Sequence, residues 1–216
     1  MSTRKTRAEL SKAEILEAAM DLARREGLDF SMRDLGHALS SWANTVYAFF
    51  PSKQALQDAL IDRIIDEALS ADVVERVLDD AVPWQARFRT FGLALFDTFS
   101  KYPGTGVLIT QYGMLGSPNA ARLFQLMITL FTRLGLSPQR AAIVLQASAF
   151  FLLQISDLAA SIARGQANAD ALLNSDMASG PDSDLSSAIK AMADIPIRDR
   201  AVAGLDLFIA GLEREI

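Results

Sequence analysis

Apolar residues recur at three- and four-residue steps along most of the chain, and no stretch alternates strictly, so the pattern predicts helices and no strand. Ile15, Ala19, Leu22 and Ala23 form the first stripe, opened by Ser11 and Glu14 at capping-box spacing and closed by Gly27. Met32, Leu35 and Leu39 form a second, shorter stripe behind Ser31, with Asp34 three residues on. Ser40-Ser41 interrupts it. Val46, Phe49 and Phe50 then turn inward until Pro51 closes the run, because the residue before a proline avoids the α region. Two short helices joined by a tight turn make a helix-turn-helix, whose second helix can enter the major groove of DNA.

Beyond Ser52 the pattern predicts one long helix to about Asp79, with Leu56, Leu60, Ile64 and Leu69 inward, joining a three-helix head to a larger body. Pro83-Trp84 opens a helix carrying Phe88, Phe91, Leu95, Phe96 and Phe99, and Pro103-Gly104 stops it. The segment 104–115, GTGVLITQYGML, is expected to be helical despite its β-branched residues. Ser117-Pro118 and Ser137-Pro138 each place a cap residue before a proline at the first helical position, predicting helices to about Leu134 and Arg164. Residues 166–183, rich in Asn, Asp, Ser, Ala and Gly, read as a loop, followed by a short helix near 185–193. Pro196 opens a last helix with Val202, Leu205, Phe208, Ile209 and Leu212 on one side. The fold class expected is therefore all-α. Ala141–Ile155 is strongly apolar, but Gln146, Ser148 and Gln154 interrupt it and it falls short of the roughly 20 residues that span a bilayer. A helix apolar nearly all round is expected to lie between core and partner subunit rather than in a membrane.

Composition narrows the chemistry. The 216 residues contain no cysteine and one histidine, His37, so a His-based triad or a zinc site has almost nothing to build with. No glycine-rich phosphate loop is present. These features argue against an enzyme, and no cofactor or metal is expected. The N-terminus lacks the apolar core of a signal peptide, so a cytoplasmic location is expected. Net charge is −5, divided unevenly: residues 1–53 carry +1 and the remainder −6. An acidic body behind a mildly basic head suits a protein that offers one end to nucleic acid. Arg4, Lys5, Arg7 and Lys12 form a basic arm, and Lys53 adds a candidate phosphate contact; such contacts position a protein on DNA without reading sequence. Asn44 can pair bidentately with adenine, Trp42 can touch a thymine methyl, and the hydroxyls of Thr45 and Tyr47 suit phosphate or base edges.

Ser31, Leu35, Gly36, Leu39, then Thr45-Val46-Tyr47-Ala48-Phe49-Phe50 and Lys53 resemble the DNA-binding motif of the TetR family of bacterial repressors. The chain departs from it where Ser40-Ser41-Trp42 replaces Gly-Val-Ser and Phe49 replaces a His. Two body segments, WQARFRTFGLALFDTF with the following YPG and AVAGLDLFIAGLEREI, are similar to the tetracycline-repressor branch. The resemblance implies a DNA-binding domain at 1–52 and a ligand-binding and dimerisation domain at 53–216. It implies a homodimer joined through its two late helices, bound to a double-stranded DNA operator and released by a small-molecule effector. The DNA-binding residues it implies are Ser31, Met32, Arg33, Trp42, Ala43, Asn44, Thr45, Tyr47 and Lys53. The pocket it implies is apolar, with walls from Phe96, Phe99, Leu108, Gln111, Tyr112, Met114, Phe131, Phe150 and Gln154. Leu108 falls near the position of that branch's metal-binding His, so the pocket is read as metal-free and tetracycline binding as lost. The alternative is a helical small-molecule binding protein that has lost operator recognition.

Overall fold

The computed structural model describes residues 10–113, 116–165 and 194–216, with Ser187 and Ala191 between them, and the backbone alone at Tyr112. The basic residues Arg4, Lys5 and Arg7, the expected loop at 166–183 and the side chains of Tyr112 and Met114 lie outside the described residues, as does most of the short helix expected at 185–193. Among the described residues there are ten α-helices and no strand: α1 Lys12–Glu26, α2 Met32–Ala38, α3 Ala43–Tyr47, α4 Lys53–Ala68, α5 Ala71–Leu78, α6 Trp84–Phe99, α7 Thr105–Tyr112, α8 Pro118–Arg133, α9 Pro138–Ala163 and α10 Ile197–Leu212.

The head is set by local chemistry. Ser11 and Glu14 close a capping box on α1, and Ser31 and Asp34 another on α2. Hydrogen bonds from Ser31 hold the Asp34 carboxyl below its ordinary range. At the end of α2 the Ser40 N–H donates to His37 O and the Ser41 N–H to Gly36 O, which is a complete Schellman motif. The αL position that this motif usually gives to glycine is filled by Ser40, at φ 52°. Gly36 is required on other grounds: a Cβ there would lie 3.0 Å from the Ala43 backbone nitrogen, so only glycine lets α2 and α3 cross this closely.

The single helix expected from Ser52 to Asp79 is two helices. α4 ends at Ala68, and Leu69–Ser70 turns the chain into α5. Leu69 is buried like the α4 stripe before it, so the apolar pattern runs through the turn and conceals it. α4 packs on α1 in the head and on α6, α7 and α8 in the body. Its Asp62 carboxylate caps α8 by accepting from Ser117 Oγ (2.6 Å), Asn119 N (2.9 Å) and Asn119 Nδ2 (3.0 Å). Asp157 of α9 caps α7 in the same way, through the amides of Gly104 (3.1 Å) and Val107 (3.0 Å). At 26 residues α9 is long and apolar enough to cross a membrane, longer than the apolar stretch read from the sequence. It instead packs on α6, α7, α8 and α10.

Head and body lock together at one place. The Leu28 N–H donates to Pro103 O (2.9 Å), and Arg164 Nη1 donates to Glu26 O (3.2 Å). Gly27 sits between them at φ 88°, where a Cβ would be 3.0 Å from Pro103 O. Beside this, Arg24 of α1 lies over the Tyr102 ring (5.0 Å) and pairs with Glu67 of α4 (3.2 Å), which also takes Lys101 (3.0 Å) and the Tyr102 hydroxyl (2.5 Å). Burial pushes the Glu67 carboxyl up, but the hydrogen bonds from Tyr102 and Lys101 and the charges of Lys101 and Arg24 outweigh it and hold the group below its usual 4.5. Tyr102 is pushed up by burial and by its bond to the Glu67 carboxylate.

Two measurements test these features. Ser40→Gly removes a left-handed non-glycine residue, so chemical denaturation is expected to show a gain of about 1 kcal/mol, with no gain if the Ser40 conformation is unstrained. Tyr102→Phe deletes a hydrogen bond to a charged acceptor and is expected to cost about 1–2 kcal/mol at neutral pH. Because the folded Glu67 pKa is depressed, that stabilisation is complete above 4.5 and is lost as pH falls through the folded value. The gap between variant and parent melting curves is therefore expected to close in acid.

Candidate nucleic-acid interface and ligand clefts

The head presents α3 outward. Trp42, at its N-cap, is 62 % exposed and Tyr47 is 45 % exposed; Asn44 is exposed and Ala43 and Thr45 are half-buried. Val46 and Phe50 point the other way, into the core between α1, α2 and α4, with Phe49 packed at its edge. Ser31 is exposed but uses its hydroxyl to cap α2, and Arg33 stands exposed on the first turn of the same helix. Two residues of the expected DNA set are placed otherwise. Met32 is buried at 4 % exposure, so its side chain builds the head rather than facing a ligand. Lys53 pairs with the head's own Asp29, its ammonium 3.0 Å from Asp29 Oδ1, so a phosphate would have to draw it off a carboxylate. Lys12 of the basic arm lies over the Phe50 ring at 5.2 Å.

The described residues among the nine expected for the pocket do not line one cavity. Phe96, Phe99 and Phe131 are buried in the body core, where Phe131 packs on Phe88 with ring centroids 5.5 Å apart. Their inward spacing is that of core residues, and filling the core is what they do. Phe150 lines an open apolar groove of about 630 Å³ between α7, α8 and α9, together with Ile109, Phe124, Ile128, Ile143 and Leu153, and with Gln146 as a polar group. Gln154 is exposed further along α9. The sequence reading missed Phe124, Ile128 and Ile143. The available signal was the seven-residue step from Ile143 to Phe150, which puts two large apolar residues on one exposed side of α9.

Leu108 and Gln111 line a different space, a cleft of about 400 Å³ at the lock between head and body. Its head side is Glu26, Gly27, Leu28 and Asp29, with Lys53 and Gln57 of α4; its body side is Pro103, Gly104, Val107, Leu108, Gln111 and Arg164. Lys53 and Asp29 neutralise each other there. The sequence signal for this cleft was Gln57, a polar residue at a buried position beside Leu56 and Leu60. Among the described residues no group of three or more His, Cys, Asp or Glu side chains converges as a metal site.

Known proteins place this architecture. Residues 15–60 match the family model described as bacterial regulatory proteins, tetR family. No curated protein matches the chain. Among solved structures, a possible TetR family transcriptional regulator from Streptomyces coelicolor A3(2) superposes with a TM-score of 0.80 at 20 % identity, covering 95 % of this chain and 100 % of that one. ActR from Streptomyces coelicolor, in complex with actinorhodin, superposes with a TM-score of 0.76 at 22 % identity, covering 95 % of this chain and 98 % of that one. TetR from Acinetobacter baumannii AYE gives a TM-score of 0.69 at 22 % identity, over 95 % and 97 % of the two chains. The head is thus that of the bacterial tetR-family regulatory proteins, and the chain as a whole keeps the fold of these solved structures nearly end to end.

Proposed function

We propose that the protein is a homodimeric, ligand-responsive repressor that binds a palindromic operator and is released by a small, largely apolar or aromatic effector. The observation that carries the DNA half is the exposed face of α3, where Trp42, Asn44 and Tyr47 project from a family-matched head. Asn44 is the base-reading candidate and Arg33 the phosphate candidate. The alternative, a small-molecule binder without operator recognition, drew its support from the unusual Ser40-Ser41-Trp42 turn. That support weakens because Ser40 and Ser41 complete a normal helix-ending motif.

The dimer rests on an apolar side left uncovered. Ile143, Phe150 and Leu158 run exposed along α9, and Leu207 of α10 is 75 % exposed. The opposite side of α10 is strapped to α6 by the Arg89–Asp206 and Arg198–Asp97 ion pairs. Pairing of α9 and α10 with their copies covers these residues, and an interface above roughly 1,000 Å² is expected. The groove beside Phe150 opens on this same side, so the partner subunit would form its lid. An effector there touches α8, and α8 is tied at its N-terminus to Asp62 of α4. Release of DNA follows if the effector binds better to the arrangement in which α4 holds the two heads at the wrong separation. ActR with actinorhodin and TetR with minocycline show that relatives of this fold take small molecules.

The deciding experiment is a gel shift on the DNA upstream of the protein's own coding region, where a saturable complex is expected; its absence would favour the alternative. Asn44→Ala is expected to cost about 1–3 kcal/mol on the best site and far less on unrelated DNA. Arg33→Ala is expected to weaken all DNA alike and to flatten the dependence of log K on log salt by about 0.9. For the dimer, Leu207→Asp is expected to sediment as a monomer where the parent is dimeric. Phe208 is the poorer probe, because its ring packs on Phe151 at 5.9 Å and its loss would disturb the fold itself. A parent chain that sediments as a monomer defeats the assignment.

A further inference from the structure

We infer that the cleft at the head–body lock is a second ligand site, built for a small zwitterion with an apolar side chain, such as an apolar α-amino acid. The cleft presents two opposite charges that do not neutralise each other. Arg164 donates one N–H to the Glu26 backbone oxygen (3.2 Å), but its guanidinium has no carboxylate partner among the described residues. The Glu26 carboxylate likewise has no cationic partner among them. Gln57, 6 % exposed, lines the same cleft, and its amide makes no hydrogen bond with any described residue. Its polar atoms are not sealed from solvent, so the amide presents donors and an acceptor to the open space of the cleft, where a polar guest can bond it. Leu28, Val107 and Leu108 supply an apolar wall in the same cleft.

These groups together define the guest. A carboxylate pairs with the Arg164 fork and an ammonium with Glu26. Gln57 can donate to the carboxylate or accept from the ammonium. An aliphatic or aromatic side chain lies on Leu108 and Val107. A volume near 400 Å³ falls within the range of ordinary ligand pockets and is ample for one amino acid. The occupant touches Glu26 and Leu28 on the head side and Val107, Leu108 and Arg164 on the body side, so it joins the two at the place where they already lock. Its effect on DNA binding rests on the repressor reading above; its binding does not.

Titration calorimetry on the full chain tests this with L-phenylalanine and L-leucine, against 3-phenylpropionate and phenethylamine, which each lack one charge. One saturable site per chain is expected for the amino acids, with the singly charged analogues at least about tenfold weaker. Gln57→Leu should lower L-phenylalanine affinity about tenfold with the fold kept, since the amide it removes bonds no described residue. Glu26→Gln should weaken L-phenylalanine but not 3-phenylpropionate, a selectivity that mere loosening of the fold would not produce. No saturable binding of either amino acid, equal binding of the singly charged analogues, or an unchanged affinity in Gln57→Leu would each overturn the site. Gel shifts with and without L-phenylalanine separate the two proposals. Failure to bind DNA without amino acid counts against the repressor alone, whereas amino-acid binding that leaves DNA affinity unchanged defeats the regulatory role of the cleft.

Discussion

The contact on which this molecule depends is the seam where the end of α1 meets the turn before α7. A three-helix head of some 50 residues buries too little to stand firmly by itself. Here it borrows stability through α4, which belongs to both cores, and through a short set of polar contacts around Tyr102 and Pro103. The seam is narrow. It relies on one backbone hydrogen bond, from Leu28 to Pro103 beside Gly27, and on one shared carboxylate, Glu67, that serves α1, α4 and the turn at once. Contacts of this kind hold one orientation well but give little resistance once a few of them are lost.

Local signals in the sequence were the ones that could be read. Both capping boxes involve residues three apart, and the prolines at 118 and 138 act on their own turns, so no tertiary information was needed to place α1, α2, α8 and α9. The break after Ala68 was hidden for the opposite reason. Leu69 keeps the apolar rhythm and is buried, and the chain turns because of what surrounds it rather than because of a glycine or proline.

The ligand residues show a second limit. Phe96, Phe99 and Phe131 recur at the same spacing whether a helix faces a cavity or a filled core, and the rotation of each helix decides between them. Here the aromatics fill the core, and the free space lies outside it: an apolar groove bordered by the exposed side of α9 and a polar cleft at the seam. The residues expected to face DNA divide similarly. Trp42, Asn44 and Tyr47 are exposed as a reading helix demands, whereas Met32 occupies a motif position that serves the core and Lys53 answers to Asp29.

The turn at Leu69–Ser70 also sets the mechanical gain of the molecule. With α4 ending at Ala68, the rod between body and head has 16 residues, or about 24 Å at the helical rise. A tilt of about 5° at its body end then displaces the head by about 2 Å, and in a two-fold dimer the opposed motions change the spacing of the reading helices by up to about 4 Å. Had α4 continued to Asp79, the same tilt would have had to drag α5 with it against its packing on α6. Cutting the rod short leaves the swing to a single helix, so in the proposed dimer a rearrangement of a few degrees would be enough to spoil the fit to successive turns of DNA.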